Sequence, residues 1–144
     1  MNELIGNDVL LTCILAWVVA QLTKPLIHYV HSRRINLRYF VTAGGMPSSH
    51  SAVVVALATR VGVDTGLSSI PFALAAVFAA VVMYDAAGVR RAVSLQARVL
   101  NRMLTEMIEA QHFNEDRLRE LIGHTPFEVF VGALLGALSA ISIR

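Results

Sequence analysis

The sequence predicts an all-α integral membrane protein: a helical bundle of about four transmembrane helices, with amphipathic helices at its surface. Hydrophobic residues make up 56% of the 144 residues and charged residues only 15%, against about 25% charged in typical globular chains. Four long apolar stretches occur, and the segment between the last two alternates apolar and charged residues. Residues 1–144 are therefore expected to form one membrane-embedded domain. The alternative is a soluble bundle of unusually apolar helices.

The four apolar stretches are the candidate membrane spans. They cover residues 9–22 (extendable to about 29), 51–63, 71–84 and 126–143. Because a span needs about 20 mostly apolar residues, the first and fourth stretches nearly qualify as they stand. The second is short and carries Arg60, which indicates an inner helix protected from lipid. Gly and Ala are frequent in the third and fourth stretches and permit close helix packing in lipid.

The segment 90–122 predicts an amphipathic helix. Its apolar positions near helical spacing are Val93, Leu100, Leu104, Met107 and Ile108. Its charged residues on other faces are Arg98, Arg102, Glu106 and Glu109. Such a helix would lie at the membrane surface or on the bundle. A second short helix is predicted over 115–122, with Asn114 as its N-cap and Gly123 just past its end.

Composition also excludes several classes of protein. The single Cys13 rules out a disulfide framework and a cysteine-based zinc site. A formal net charge of +2 is too small to indicate a nucleic-acid partner. No cleavable signal peptide is expected, because the N-terminus is acidic and no small-residue cleavage site follows the first apolar stretch.

If the four spans cross a bilayer in alternating directions, the polar residues at their ends lie at one face of the membrane. The first span ends near Lys24, and the second begins near His50 on that same side. The third span returns there with segment 85–91, and the fourth starts there just after His124. The sequence therefore predicts a polar pocket at one membrane interface, with the loop 43–51 at its entrance.

The loop reads AGGMPSSHS and suits an anion. Its candidate site residues are Gly44, Gly45, Pro47, Ser48, Ser49 and His50. The two glycines allow conformations and close approaches that a Cβ would block. The proline suits the first turn of a helix, and the serines and histidine would follow in that turn, where free N–H groups and the helix dipole favour anions. The structural alternative is an ordinary helix cap.

Cations can complete an anion site in this pocket. Lys24, Arg90 and Arg91 supply positive charge, and arginine offers a two-pronged donor to phosphate oxygens. The two arginines could instead be juxtamembrane anchors. Asp85 is a supporting candidate that could also cap its span or pair with an arginine.

Two histidines bring reactive groups to the same face. His50 and His124 can exchange protons or attack phosphorus near neutral pH. Glu128 lies four residues after His124, one helical turn away, and could hold the imidazole in one tautomer. A single histidine at a helix start is more often structural, so the chemical interpretation depends on all these residues meeting.

Three motifs carry a resemblance to a known family. They are GGMPSSHSA (44–52), DAAGVRRAVSLQARVLN (85–101) and GHTPFEVFVG (123–132). They resemble the divergent branch of the type 2 phosphatidic acid phosphatase family, whose members are often labelled acid phosphatase/vanadium-dependent haloperoxidase-related. The resemblance covers nearly the whole chain. It implies a membrane lipid-phosphate phosphatase that acts through a phosphohistidine.

The resemblance also implies roles for individual residues. Lys24 would hold phosphate, Ser48 would bind phosphate oxygens and His50 would protonate the leaving group. His124 would be the nucleophile, and Glu128 would replace the aspartate that orients it. Pro47, Ser48 and His50 match the motif Pro-Ser-Gly-His, and Gly123 directly precedes the nucleophile.

The chain departs from the superfamily pattern in several places. His31 stands where the first motif has arginine, Ser49 replaces the glycine of the second, and Leu118 replaces the arginine of the third. Arg90 or Arg91 is the candidate for the missing guanidinium. The superfamily core usually has six helices, so a homodimer would complete the bundle.

The charge distribution predicts the orientation. All of the 12 Lys and Arg residues except Arg60 and Arg144 fall in segments on the pocket side. The positive-inside rule then places the pocket on the cytoplasmic face of the cell (inner) membrane, with both termini outside.

The leading hypothesis is a lipid-phosphate phosphatase of phospholipid metabolism. Phosphatidylglycerophosphate and phosphatidic acid are the candidate substrates, and no metal or other cofactor is expected because the cations are side chains. The second hypothesis is a phospholipid- or anion-binding or transport protein that retains the pocket without catalysis. The third is a metal-dependent enzyme that uses Asp85, Glu128 and a histidine.

Overall fold

Five helices form the part of the chain that the computed structural model describes, residues 6–33, 44–110 and 124–142. They are α1 (Asp8–Ser32), α2 (Ser49–Thr65), α3 (Ile70–Ala87), α4 (Val89–Ala110) and α5 (Pro126–Ser142). No strand occurs in these three ranges, so the all-α prediction is confirmed. The predicted short helix over 115–122, with its caps Asn114 and Gly123, lies outside the described residues.

The helix ends follow from local capping. Asn7 caps α1 by accepting the Leu10 N–H at 3.0 Å, and α1 ends where Arg33 adopts a left-handed conformation. The helix therefore continues well past the apolar core at 9–22. Ser69 caps α3 in the same way, through the N–H of Phe72 at 3.2 Å.

Helix α2 lies at the centre of the bundle, as the presence of Arg60 in this short apolar stretch predicts. It packs against α1, α3 and α5, and Ala56 forms a small fully buried cluster with Ala16 of α1 and Ala140 of α5. Arg60 is buried and pairs with Asp64 at 3.1 Å and with Asp8 of α1 at 3.6 Å. These carboxylates compensate the guanidinium charge within an apolar bundle.

The packing of α2 against α5 depends on two glycines one turn apart. A Cβ on Gly132 would collide with the carbonyl oxygen of Ser48, and a Cβ on Gly136 would collide with that of Ala52. The two backbones therefore touch directly. Small residues four apart are a common means of close helix packing in membranes.

The outer surface of the bundle is apolar. By length and composition, residues Asp8–Val30 of α1 and all of α3 are able to cross a membrane. Helices α2 and α5 have 17 residues each, the lower end of the usual range for a span. Large apolar side chains point outward, among them Trp17, Leu22, Leu74, Val81, Phe130 and Leu138. This surface is suited to lipid rather than to water.

Helix α4 follows α3 after the single residue Gly88. It contacts α3 and no other described helix. The predicted amphipathic segment 90–122 is thus helical over its first two thirds, to Ala110, and residues 111–122 lie outside the described ranges.

Candidate functional site

Four helices meet at one end of the bundle. The N–H of Ser48, at the start of α2, donates to the carbonyl of Glu128 in α5 at 3.1 Å, and the N–H of His124 approaches the Ala86 carbonyl of α3 at 3.4 Å. Lys24 reaches the same place from α1. The structure therefore brings together the six residues Lys24, Ser48, Ser49, His50, His124 and Glu128.

The start of α2 differs by two residues from the expectation that Pro47 would occupy its first turn. The helix begins at Ser49, and Ser48 is its N-cap. Its Oγ accepts hydrogen bonds from the Ser51 N–H at 3.3 Å and the Ser51 hydroxyl at 3.1 Å. Pro47 is buried just before the cap. The expectation was wrong here because a serine side chain that satisfies a free N–H defines the helix start more strongly than a nearby proline.

The loop before this cap contains the two predicted glycines. Gly45 has a φ of 88°, which a residue with a Cβ rarely adopts. Gly44 faces open space and would accommodate a Cβ. Of these two loop glycines, Gly45 is the one whose backbone conformation requires glycine.

His124 is oriented by Glu128. Nδ1 of His124 lies 3.2 Å from Oε2 of Glu128, and the histidine side chain is completely buried. When Glu128 is ionised it can only accept, so a neutral His124 ring then donates from Nδ1 and carries its lone pair on Nε2. This is the tautomer that a nucleophilic histidine requires.

Glu128 also caps α5. Its Oε2 accepts the Thr125 N–H at 3.0 Å, and its own N–H donates to Thr125 Oγ1 at 3.3 Å. This reciprocal pair is a capping box, and the residues TPFE at 125–128 carry its signature. The sequence interpretation missed Thr125, although that spacing could have revealed it. Glu128 thus holds the helix start and His124 with one carboxylate oxygen.

The second histidine lies beside the first. The ring centroids of His50 and His124 are 5.9 Å apart and the rings meet edge to face at 64°. His50 is half-buried and lies in the first turn of α2, where backbone N–H groups favour an anion. The two imidazoles are near enough to contact a single phosphoryl group from different sides.

Lys24 is 2% exposed, which is unusual for a lysine unless its charge is compensated. Its Nζ donates to Ser49 Oγ at 3.3 Å. Gln21 lies one turn earlier on α1 and is 9% exposed. The sequence interpretation missed it, although a polar residue three positions before Lys24 shares its helix face.

The other predicted site residues are not joined to this cluster. Asp85 is exposed at the end of α3, and no hydrogen bond or ion pair links it to another residue in the described ranges. Arg90 and Arg91 lie in the first turn of α4, and their side chains are outside what the structure describes, as is Gly123. No group of three or more His, Cys, Asp or Glu side chains in the described part of the chain is arranged to hold a metal.

Comparison with known proteins identifies the family of the chain. The family described as "Divergent PAP2 family" matches residues 5–139. The "Uncharacterized membrane protein YuiD" of Bacillus subtilis (strain 168) is 42% identical over 147 residues, which cover 94% of this chain and 93% of YuiD. No solved structure matches the chain. With two apolar helices of membrane-spanning length, these similarities support a PAP2-related membrane protein and confirm the resemblance seen in the three motifs. The chain belongs to the divergent PAP2 family.

Proposed function

We propose that this protein is a membrane lipid-phosphate phosphatase that acts through a phosphohistidine on His124. The observation that carries the proposal is the pairing of a buried His124 with Glu128, 3.2 Å away, beside a second histidine and a buried lysine. An oriented imidazole next to cationic and N–H donors is the arrangement that phosphoryl transfer requires. Structural histidines also pair with carboxylates, but the second histidine and the buried lysine beside this pair favour a catalytic role.

The reaction takes two steps. Nε2 of His124 bonds to phosphorus as the bond from phosphorus to the lipid oxygen breaks, and His50 donates a proton to that oxygen. Water then attacks the phosphohistidine, His50 accepts a proton from it, and inorganic phosphate leaves with His124 restored. Glu128 keeps His124 in the reactive tautomer throughout.

Charge on the phosphoryl group is stabilised by the surrounding donors. Lys24 supplies an ammonium group, and Ser48 supplies a hydroxyl at the N-terminus of α2, where the helix dipole favours negative charge. Ser49 contributes through Lys24, which it holds at 3.3 Å. Arg90 and Arg91 follow the end of α3 that contacts His124, and we assign one of them as the guanidinium that replaces the superfamily's arginine.

The position of the site favours a lipid substrate. The His124 N–H contacts Ala86 at the end of α3, a helix long and apolar enough to cross a membrane, so the cluster would lie near the depth of lipid phosphates. Phosphatidylglycerophosphate and phosphatidic acid both present a phosphate monoester there. The excess of Lys and Arg on this side supports a cytoplasmic-facing site in the cell membrane, and a homodimer would supply the helices that the superfamily core has in addition.

Departures from the superfamily motifs favour a second function, the binding or transport of anions without hydrolysis. His31 and Leu118 occupy the places of two superfamily arginines, and Ser49 engages the lysine. A pocket that has lost such groups could bind lipid phosphates or other anions without hydrolysing them, as a binding or transport protein does.

Phosphate release from purified full-length protein in lipid vesicles tests the proposal. The substrates are phosphatidylglycerophosphate, phosphatidic acid and a soluble phosphate monoester, each with a chelator present. We expect release from at least one lipid phosphate, and equal release from His28→Ala, because the His28 ring lies 3.1 Å from the Ser32 hydroxyl of its own helix and His28 is not one of the six residues of the cluster. Saturable lipid binding without release by the folded protein would favour the binding function. Release that requires added Mg²⁺ or Mn²⁺ would favour a metal-dependent enzyme.

Removing the buried ammonium should separate the roles of Lys24 and Ser49. Lys24→Met should lower kcat/KM by about 10²- to 10³-fold, the usual effect of losing one donor to a developing charge. Ser49→Ala should lower it by about 10-fold, because it loosens a hydrogen bond to a charged group without removing the charge. Steady-state phosphate release measures both.

Thr23→Ala is the matched control for this pair. Its hydroxyl bonds the Val19 carbonyl of its own helix at 2.7 Å, one residue from Lys24, so we expect wild-type kinetics. Equal losses in Lys24→Met and Ser49→Ala would contradict the assignment of Ser49 as a residue that positions Lys24.

A further inference from the structure

We propose that α4 is an interfacial helix, with one apolar face inserted among the acyl chains of the leaflet at the site and an arginine-bearing face directed to the headgroups. The surface is the apolar arc of α4, which we define as Leu95, Val99, Leu100, Met103, Leu104 and Met107. Membrane lipid is the partner that we propose to cover this apolar arc. The inference does not depend on phosphatase activity.

The apolar arc is exposed in the structure. Its six side chains are between 42% and 70% exposed. At about 100° per residue they fall within one half of the helix circumference. So large a contiguous apolar surface indicates contact with lipid or another protein.

The rest of the helix shows two further faces. Ala97 and Asn101 are buried and share one face four residues apart, next to the end of the apolar arc. Arg98, Arg102 and Thr105 lie beyond them, and both arginines are exposed. A basic face beside an apolar face is typical of helices that lie in a membrane interface.

The connection to α3 sets the depth of α4. Helix α3 is long and apolar enough to cross the membrane, and α4 follows it after one residue. This end of α3 is the site end, because Ala86 accepts the His124 N–H. Helix α4 therefore starts where α3 leaves the hydrocarbon, and its 22 residues extend about 33 Å from there.

The position of α4 directly after α3 indicates which molecule covers the apolar arc. Val81 and Tyr84 on the last turns of α3 are 61% and 78% exposed, so the apolar outer surface of the bundle reaches the last turn of α3, and α4 begins one residue after that helix ends. Helix α4 contacts no other described helix. The long arginine side chains can reach lipid phosphates, which attract cations at the surface. A surface that continues a lipid-facing one, flanked by arginine, fits lipid better than a second copy.

Spin-label accessibility tests the proposal on the full chain. Cys13→Ser removes the native thiol, and single cysteines replace Val99, Met103 or Leu104 on the apolar arc and Arg98, Arg102 or Thr105 on the polar side. Each variant is labelled with a nitroxide and reconstituted in vesicles of phosphatidylcholine and phosphatidylglycerol. Leu74→Cys on the outer face of α3 is the lipid reference.

We expect the arc labels to relax several-fold faster with oxygen than with a water-soluble nickel chelate, as the reference does. The polar-side labels should show the reverse, so that the ratio oscillates with the helical period. Arc labels open to the nickel chelate would place α4 in water and overturn the proposal. Arc labels shielded from both reagents would show that protein, most simply a second copy, covers the face. None of these three outcomes depends on whether the protein releases phosphate.

Discussion

Alanine at His124 is expected to lower phosphate release by at least about 10⁴-fold, since loss of a nucleophile removes the covalent route altogether. No other side chain in the described cluster combines a buried ring with an orienting carboxylate at 3.2 Å. His50→Ala should also be severe, but general acid catalysis contributes only about 10²- to 10⁴-fold. Single-turnover release with a labelled lipid phosphate measures both losses.

The His124 result needs variants that separate chemistry from folding. His124→Gln retains an amide that can donate to Glu128, so the start of α5 should stay intact while release is lost. Glu128→Gln should lower release by about 10²- to 10⁴-fold through loss of tautomer control, yet its side-chain oxygen can still accept the Thr125 N–H.

A trapped phosphoprotein is the second readout for this prediction. Acid-labile, base-stable label should appear on wild type and disappear in His124→Gln. Substantial release by a folded His124→Gln protein would place the nucleophile elsewhere and exclude the proposed mechanism.

Alanine at Gly136 is expected to destabilise the bundle by about 1–3 kcal/mol, the usual effect of overpacking a close contact. The added methyl would collide with the Ala52 carbonyl oxygen and separate α2 from α5. The sign of this change in the free energy of unfolding is informative, because Gly→Ala inside a helix otherwise stabilises a protein by about 0.5–1 kcal/mol. Thermal unfolding in detergent, followed by circular dichroism, measures the change.

Gly132 should show the same loss of stability with an added effect on the site. Its new Cβ would meet the carbonyl oxygen of Ser48, the residue that caps α2 beside His50. We therefore expect Gly132→Ala to lower phosphate release at temperatures where Gly136→Ala remains folded and active.

Gly44→Ala is the control for both glycines, because it adds the same methyl group where nothing lies within 4 Å. It should leave stability unchanged. If Gly132→Ala and Gly136→Ala raised the unfolding temperature instead, the close approach of α2 and α5 would be wrong.

The helices and the meeting of the polar residues could be predicted from the sequence to a useful degree. An apolar run of helical length forms a helix whatever its neighbours are. Successive spans cross the membrane in opposite directions, so the end of one span and the start of the next lie at the same face of the membrane. The order of the runs therefore predicts that Lys24, His50 and His124 lie at the same end of the bundle. The sequence interpretation placed the start of α2 two residues too early, because Pro47 and Ser48 are both residues that commonly mark the start of a helix.

Pairings between helices could not be predicted in the same way. Which oxygen holds Lys24 and which carboxylates meet Arg60 depend on helix rotation and on distances of a few ångströms. A change of one residue in helix phase turns a side chain by about 100°, so the sequence also could not decide whether Asp85 faces the cluster. The structure leaves it exposed.

The sequence by itself determined that this is an apolar helical protein with a histidine, a lysine and a serine-rich helix start at one end, since these properties depend on residue type and order. Only the tertiary structure decided that Ser49 holds Lys24, and that Gly132 and Gly136 let two backbones touch. Those contacts depend on how neighbouring helices pack, and packing depends on shapes that no single segment contains.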